Sequence, residues 1–132
     1  MNIYVDGGFS PDKKIGGIGI VLKDKNKVIK RLTVRIKAKD PQHAEKLAIL
    51  YSILKLKQWG INKATIITDN SNLVSIINRR KHEIKQKHKS FYTSMKNICR
   101  GCQLNFRKNY RGEFNPAHLL ATGAVVTYKE II

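Results

Sequence analysis

The chain has 132 residues, which is enough for one domain with a hydrophobic core and too few for two. Its 26 Lys and Arg residues and 9 Asp and Glu residues give a formal net charge of +17, which favours a polyanion such as nucleic acid as the partner. No segment is long and apolar enough to cross a membrane, and no signal peptide precedes the first predicted strand, so we expect a cytoplasmic protein that does not bind membranes. The many Ile, Lys and Asn residues also suit an AT-rich genome, so charge alone leaves nucleic-acid binding open.

The first half of the chain predicts an antiparallel meander followed by a long helix. Short apolar or alternating segments predict three strands, at residues 3–6, 17–22 and 28–38. We expect residues 7–15, rich in Gly, Ser, Pro and Asp, to form the first turn. Apolar residues then recur at helical spacing from Pro41, which suits a first helical turn, to Trp59, and Gly60 ends the helix.

The second half predicts two further strands and three helices. The strands are expected at 64–68 and around 104–106, and the helices at 72–78, 81–100 and 115–122. The helix between the third and fourth strands makes a crossover, so the fourth strand should run parallel to the first. Gly101 and Gly123 should end the last two helices, and residues 125–132 are ambiguous. The order predicts one α/β domain over residues 1–132, with a mixed five-stranded sheet flanked by helices.

Two carboxylates follow apolar strands, and a third lies in the helix between them. Asp6 ends the first predicted strand, Asp69 directly follows the fourth, and Glu45 lies in what we expect to be the opening turn of the helix. Ligands of open α/β sheets bind beyond the carboxyl ends of parallel strands, so the three side chains should meet at one edge. Singly, each acid has a structural alternative as a turn residue or a complement to the helix dipole. Together they favour a site for Mg²⁺ or Mn²⁺, two of which could clamp a phosphodiester for hydrolysis.

These residues resemble the motifs of type 1 ribonuclease H, and the likeness covers essentially the whole chain. The segments are Tyr4-Val5-Asp6-Gly7-Gly8, Gly17-Ile18-Gly19, Ala44-Glu45-Lys46-Leu47-Ala48, Thr68-Asp69-Asn70-Ser71, and finally Arg111 with Ala117-His118-Leu119-Leu120-Ala121. The resemblance implies a ribonuclease H-like fold and cleavage of the RNA strand of RNA–DNA hybrids with two divalent ions. It implies that the metal-binding catalytic residues are Asp6, Glu45, Asp69 and His118, with Asp6 bridging the ions. It also implies nucleic-acid contacts by Gly8, Gln42, Asn70 and Ser71.

The chain departs from that family's pattern in three places. His118 stands where the fourth acid is usual, and a neutral imidazole suits Mn²⁺ better than Mg²⁺, unless it is an ordinary helix residue of a degenerate site. Pro41 and Gln42 replace paired asparagines, so Gln42 is left as the polar group that could read a 2′-hydroxyl. The loop 109–114 has no His, whereas many members of that family have one there. Glu113, in the same loop, could substitute for the fourth acid as a ligand or could complement the helix dipole.

A run of basic residues follows Asp69, in the region where members of that family grip the DNA strand. Its members are Arg79, Arg80, Lys81, His82, Lys85, Lys87, His88 and Lys89. We expect Arg79, Arg80, Lys85 and Lys89 to contact phosphates and to set affinity without reading sequence. Phe91 and Tyr92, just beyond the run, are expected to pack in the core rather than to stack on bases.

Neither the cysteines nor any linker suggests an additional cofactor or an obligatory protein partner. Cys99 and Cys102 have no second ligand pair, so we expect reduced thiols rather than a zinc site, in a chain that acts as a monomer. Three functions remain open: a ribonuclease H, a nucleic-acid-binding module of the same fold with weak or lost catalysis, and a nuclease of the same superfold that acts on DNA.

Overall fold

The computed structural model describes residues 1–126 and has the predicted mixed five-stranded sheet. Its strands are β1 Asn2–Ser10, β2 Ile15–Asp24, β3 Lys27–Lys37, β4 Lys63–Thr68 and β5 Gln103–Lys108. Its α-helices are α1 Pro41–Gln58, α2 Ser71–Ile77, α3 Lys89–Ile98 and α4 Ala117–Val126. No helix within residues 1–126 has both the length and the apolarity to cross a membrane. In the sheet order β3-β2-β1-β4-β5, the first three strands are antiparallel and β4 runs parallel to β1 and β5, so the predicted crossover is confirmed.

Two clusters of apolar side chains cover the opposite faces of the sheet. The larger one contains Ile3 and Val5 of β1 and is closed by α1, α2 and α3. The smaller one contains Tyr4 of β1 and Val21 of β2 and is closed by Ala117 of α4. Because successive side chains of a strand alternate between faces, Asp6 lies on the face covered by α4.

Two glycines allow helices to approach the sheet closely. A Cβ atom on Gly7 would lie 2.7 Å from the carbonyl oxygen of Ala44 in α1. A Cβ atom on Gly19 would lie 2.1 Å from the carbonyl oxygen of Ala117 in α4. The backbones of α1 and α4 therefore rest directly on the strands, which brings the first turns of both helices to Asp6.

The predicted turn at residues 7–15 is wrong in its extent. Residues 7–10 continue β1, which pairs with β2 from Gly7 opposite Ile18 to Ser10 opposite Ile15, and the turn is confined to residues 11–14. Glycine and serine disfavour a strand in isolation, but here the hydrogen-bond ladder of the hairpin outweighs that preference.

The single helix predicted at 81–100 is also wrong. Residues Lys81–Glu83 and Gln86–His88 form separate 3-10 turns, and α3 begins only at Lys89. Ile84, between the two turns, has extended backbone and is buried in the larger core cluster. Its burial interrupts the helix, and the many like charges at helical spacing would destabilise a continuous one.

Two further boundaries differ from the prediction. Helix α4 continues through Gly123, because its buried alanines hold it on the sheet strongly enough to offset the roughly 1 kcal/mol that an interior glycine costs. Helix α1 begins at Pro41 behind the N-cap Asp40, so Glu45 lies in its second turn rather than its first. Of the ambiguous segment 125–132, the first two residues end α4 and residues 127–132 lie outside the described part.

Candidate active site

Asp6 is a buried carboxylate on β1 whose side chain faces the first turn of α4. Only 8% of the residue is exposed, and its Oδ2 lies 2.8 Å from Nδ1 of His118. The His118 side chain is itself 64% exposed, so it lies between the buried carboxylate of Asp6 and the solvent. The structure thus brings together two of the four predicted ligands that are 112 residues apart in the chain.

Asn115 links Asp69 to β1 and to the start of α4. Its Nδ2 donates to the carbonyl oxygen of Val5 over 3.1 Å and to Oδ2 of Asp69 over 3.2 Å. Its Oδ1 accepts from the backbone N–H of Ala117 over 2.9 Å. The sequence predicts Asn115 only as the start of a helix, since nothing local indicates contacts to residues so distant in the chain.

Glu45 is held on the other side of the site by Asn70. Nδ2 of Asn70 donates a short hydrogen bond to Oε2 of Glu45, and its Oδ1 caps α2 by accepting from Leu73 N over 3.0 Å. The residue after Asp69 therefore orients Glu45 and begins α2 with the same side chain. Ser71 is the first residue of α2, and Gly8 lies on β1 beyond Asp6, on the same face of the sheet.

Burial and neighbouring charges shift the pKa values of Asp6 and Glu45. Burial raises the pKa of Asp6, and the charge of Asp69 adds to the rise, while the contact with His118 opposes it. Burial also raises the pKa of Glu45, with the charges of Asp6 and Asp69 adding to the rise and Asn70 opposing it. Negative charge is therefore concentrated where burial penalises it, which is the situation that a bound cation relieves.

The donor chemistry at this edge fits a hard divalent cation, since it consists of carboxylate oxygens with one imidazole nitrogen. Among residues 1–126, no three His, Cys, Asp or Glu side chains are grouped closely enough to hold a metal ion as they stand.

Cys99 and Cys102, both half-buried, are free thiols, and Sγ of Cys99 lies 3.7 Å from Sδ of Met95.

Glu113 has a different set of partners from those expected. Its carboxylate accepts from the hydroxyl of Tyr4 over 3.0 Å, from Arg107 over 2.9 and 3.1 Å, and from the backbone of Tyr110 over 2.8 Å. The hydrogen bonds from Arg107 are the main cause that lowers the pKa of Glu113 to about 2. Helix α4 begins only at Ala117, so Glu113 braces the β5–α4 loop and neither ligates beside Asp6 nor caps the helix.

The predicted basic run is divided between two cavities. One cavity, of about 230 Å³, reaches Asn70 beside the carboxylates. Its polar and charged lining is Gln42, Lys46, Asn70, Asn72, Ser75, Arg79, Lys85, Lys87 and His88. The other cavity, of about 370 Å³, is lined by Lys81, His82, Ile84, Lys89, Tyr92 and Thr93.

The aromatic residues after the basic run are part of the core. Phe91 and Tyr92 are 7% and 6% exposed, and the hydroxyl of Tyr92 donates to the carbonyl oxygen of Arg79 over 3.0 Å. The prediction that they pack is confirmed.

Arg80, a further member of the basic run, is exposed and precedes the first 3-10 turn. It lines neither of the two cavities.

A family model described as reverse transcriptase-like matches residues 4–124. No curated protein matches the sequence significantly. Several solved structures share the fold, among them the following three. RNase H1 from the halophilic archaeon Halobacterium salinarum NRC-1 has a TM-score of 0.81 at 14% identity, over 95% of this chain and 96% of that one.

The N-terminal RNase H domain of rv2228c from Mycobacterium tuberculosis has a TM-score of 0.77 at 17% identity, over 98% and 96% of the two chains. LC11-RNase H1, isolated from compost by a metagenomic approach and solved with an RNA/DNA hybrid, has a TM-score of 0.77 at 19% identity, over 99% of each chain. At these identities the likeness establishes the fold, which is that of RNase H1.

Proposed function

We propose that this chain, which belongs to the reverse transcriptase-like family, is a metal-dependent endoribonuclease that cleaves the RNA strand of RNA–DNA hybrids. The observation that carries the proposal is the set of hydrogen bonds in which His118 contacts Asp6, Asn115 contacts Asp69 and Asn70 contacts Glu45, on a sheet with the RNase H1 fold. The structure of LC11-RNase H1 with an RNA/DNA hybrid supports the choice of substrate.

In this proposal Asp6, Glu45, Asp69 and His118 hold Mg²⁺ or Mn²⁺. When bound, two such ions would activate the attacking water and stabilise the leaving oxygen of the phosphodiester. The chain's own polar residues keep the ligands in position. Asn115 fixes Asp69 relative to β1, and Asn70 fixes Glu45 relative to α2.

The cavity beside Asn70 is the proposed grip on the substrate backbone. Arg79, Lys85 and Lys87 line it, so a phosphate chain that passes the carboxylates meets a positive surface. Gln42 lines the same cavity, and its amide can both donate to and accept from a ribose 2′-hydroxyl. Lys89 lines the neighbouring cavity instead, which gives it a smaller role than the sequence prediction assigned to it.

The direct test is a cleavage assay on three matched duplexes, an RNA–DNA hybrid, duplex DNA and duplex RNA, each with Mg²⁺ and with Mn²⁺. We expect cleavage of the hybrid, in its RNA strand only, and dependence on the divalent ion. Cleavage of duplex DNA would make the chain a DNA nuclease, and hybrid binding without cleavage in either metal would make it a binding module. Either result would overturn the proposal.

Replacing Lys85 and Lys87 together by Ala should weaken hybrid binding most at low salt. Each phosphate contact contributes about −0.9 to the slope of log affinity against log salt on a B-form duplex, so losing two contacts should flatten the slope by up to about 2. The measurement is fluorescence anisotropy of a labelled hybrid over a salt series. The matched control replaces Lys81 and Lys89, which line the other cavity, by Ala. Equal flattening in both double variants would show that the grip is not localised beside Asn70.

A further inference from the structure

Two aromatic side chains project into solvent from the β5–α4 loop. Tyr110 is 67% exposed and Phe114 is 69% exposed, and no other large aromatic side chain within residues 1–126 is comparably open to solvent. Leu119, in the first turn of α4, is also 68% exposed. Large exposed apolar side chains so close together along the chain indicate an interaction surface.

The loop that carries these rings is braced from beneath. The carboxylate of Glu113 binds Arg107 through two hydrogen bonds, the hydroxyl of Tyr4 and the backbone N–H of Tyr110. The guanidinium of Arg107 also lies 4.0 Å from the ring centroid of Tyr110. The Tyr110 ring is therefore backed on one side and open on the other, so a ligand would meet a preformed surface.

The same loop leads directly into the proposed catalytic centre. Phe114 precedes Asn115, whose Nδ2 lies 3.2 Å from Oδ2 of Asp69. His118, one helical turn further on, contacts Asp6. Phe114 is thus joined by one peptide bond to a residue that touches a carboxylate of the site.

We propose that Phe114 and Tyr110 form a platform that packs against a base or ribose of the nucleic acid beside the cleavage site. This inference rests on the proposed function. A nucleic acid is the favoured occupant because the cations Lys108 and Arg111 flank Tyr110 in the sequence of this segment, while its acid, Glu113, is paired with Arg107. Aromatic stacking contributes to affinity for every base and is insensitive to sequence.

The test measures binding of a labelled RNA–DNA hybrid to Phe114→Ala, Tyr110→Ala and the rescue variant Phe114→Trp, with divalent ions omitted so that cleavage does not interfere. We expect each Ala variant to raise Kd about tenfold with an unchanged salt slope, and Phe114→Trp to bind like the wild type. Leu54→Ala, which removes a half-exposed apolar side chain from α1, is the control and should leave Kd unchanged. Thermal melts verify that each variant is folded.

A second readout uses a hybrid with 2-aminopurine at successive positions near the scissile bond. Binding of the wild-type protein should change the fluorescence of 2-aminopurine at one or two of these positions, and Phe114→Ala should abolish that change. Unaltered Kd and fluorescence in both Ala variants would overturn the platform. So would sedimentation showing that the wild type self-associates through Phe114 while hybrid binding does not depend on it. Since these measurements need no cleavage, an inactive wild type whose binding depends on Phe114 would refute the proposed enzyme and retain the platform.

Discussion

Asp6→Asn should abolish hybrid cleavage while leaving hybrid affinity almost unchanged. The amide has the shape of the carboxylate but not its charge, so it removes the proposed metal ligand and leaves the basic cavity beside Asn70 intact. Replacing even an outer-shell partner of a metal ligand typically lowers metal affinity or activity about 10–100-fold, so loss of a direct ligand should exceed about 100-fold. Single-turnover cleavage of an end-labelled hybrid measures the loss, and anisotropy measures the affinity.

The same variant should melt at a higher temperature than the wild type when divalent ions are absent. The pKa of Asp6 is raised in the folded state, so near neutral pH its ionised form opposes folding, and the uncharged amide removes that opposition. Asp12→Asn, the same change at an exposed acid in the β1–β2 turn, is the matched control and should alter neither activity nor melting. Normal turnover in Asp6→Asn would refute the assignment of the site.

Replacing His118 should change which metal supports cleavage. His118→Asp supplies a hard anionic oxygen and should raise the rate with Mg²⁺ relative to the rate with Mn²⁺. His118→Ala should lose more activity with Mg²⁺, which tolerates a missing ligand and irregular geometry poorly. Because ligands bind a metal only when they are deprotonated, wild-type activity should fall as the pH is lowered and recover partly when more metal is added.

The His118 contact also lowers the pKa of Asp6, so His118→Ala should shift the acid limb of the activity profile to higher pH. The discriminating quantity is the ratio of the rates in Mg²⁺ and Mn²⁺ for the wild type and the two variants, with His82→Ala as the control at an exposed histidine. One common ratio and one common pH profile for all of them would show that His118 is not a ligand.

The parts of the fold that the sequence predicts correctly are those governed by local periodicity. The alternating pattern of β3 and the apolar run of β4 identify strands without reference to the rest of the chain. The extension of β1 through Gly7 and Gly8 depends on pairing with β2, and the break at Ile84 depends on a distant core. Neither the strand extension nor the helix break can be predicted from the local composition of the segment.

The candidate site also combines features that local sequence predicts with features that depend on distant contacts. The position of Asp69 directly after β4 follows from a strand end and a parallel crossover, which sequence pattern can predict. Asp6 is not a strand end, because β1 continues to Ser10, but the pairing of β1 with β4 stops at Tyr4, so Asp6 still lies beyond the parallel part of the sheet. The role of Asn115 could not be predicted, because its side chain contacts Asp69 and Val5, which lie 46 and 110 positions earlier in the chain. Phe91 and Tyr92 are buried, as the sequence predicts, whereas the exposure of Tyr110 and Phe114 depends on a loop that Glu113 holds through contacts that local sequence does not reveal.

Gly19 links the packing of the sheet to the chemistry at its edge, with a consequence for how this chain can vary. It lies directly opposite Asp6 in the β1–β2 register, and α4 rests on it so closely that even a methyl group would overlap Ala117. A side chain at position 19 would displace the segment that carries both Asn115 and His118, even though it touches neither ion nor substrate. Most core positions of a protein tolerate conservative exchange in evolution or directed libraries. Position 19 should behave instead like a catalytic position, with glycine recovered alone when libraries are selected for cleavage.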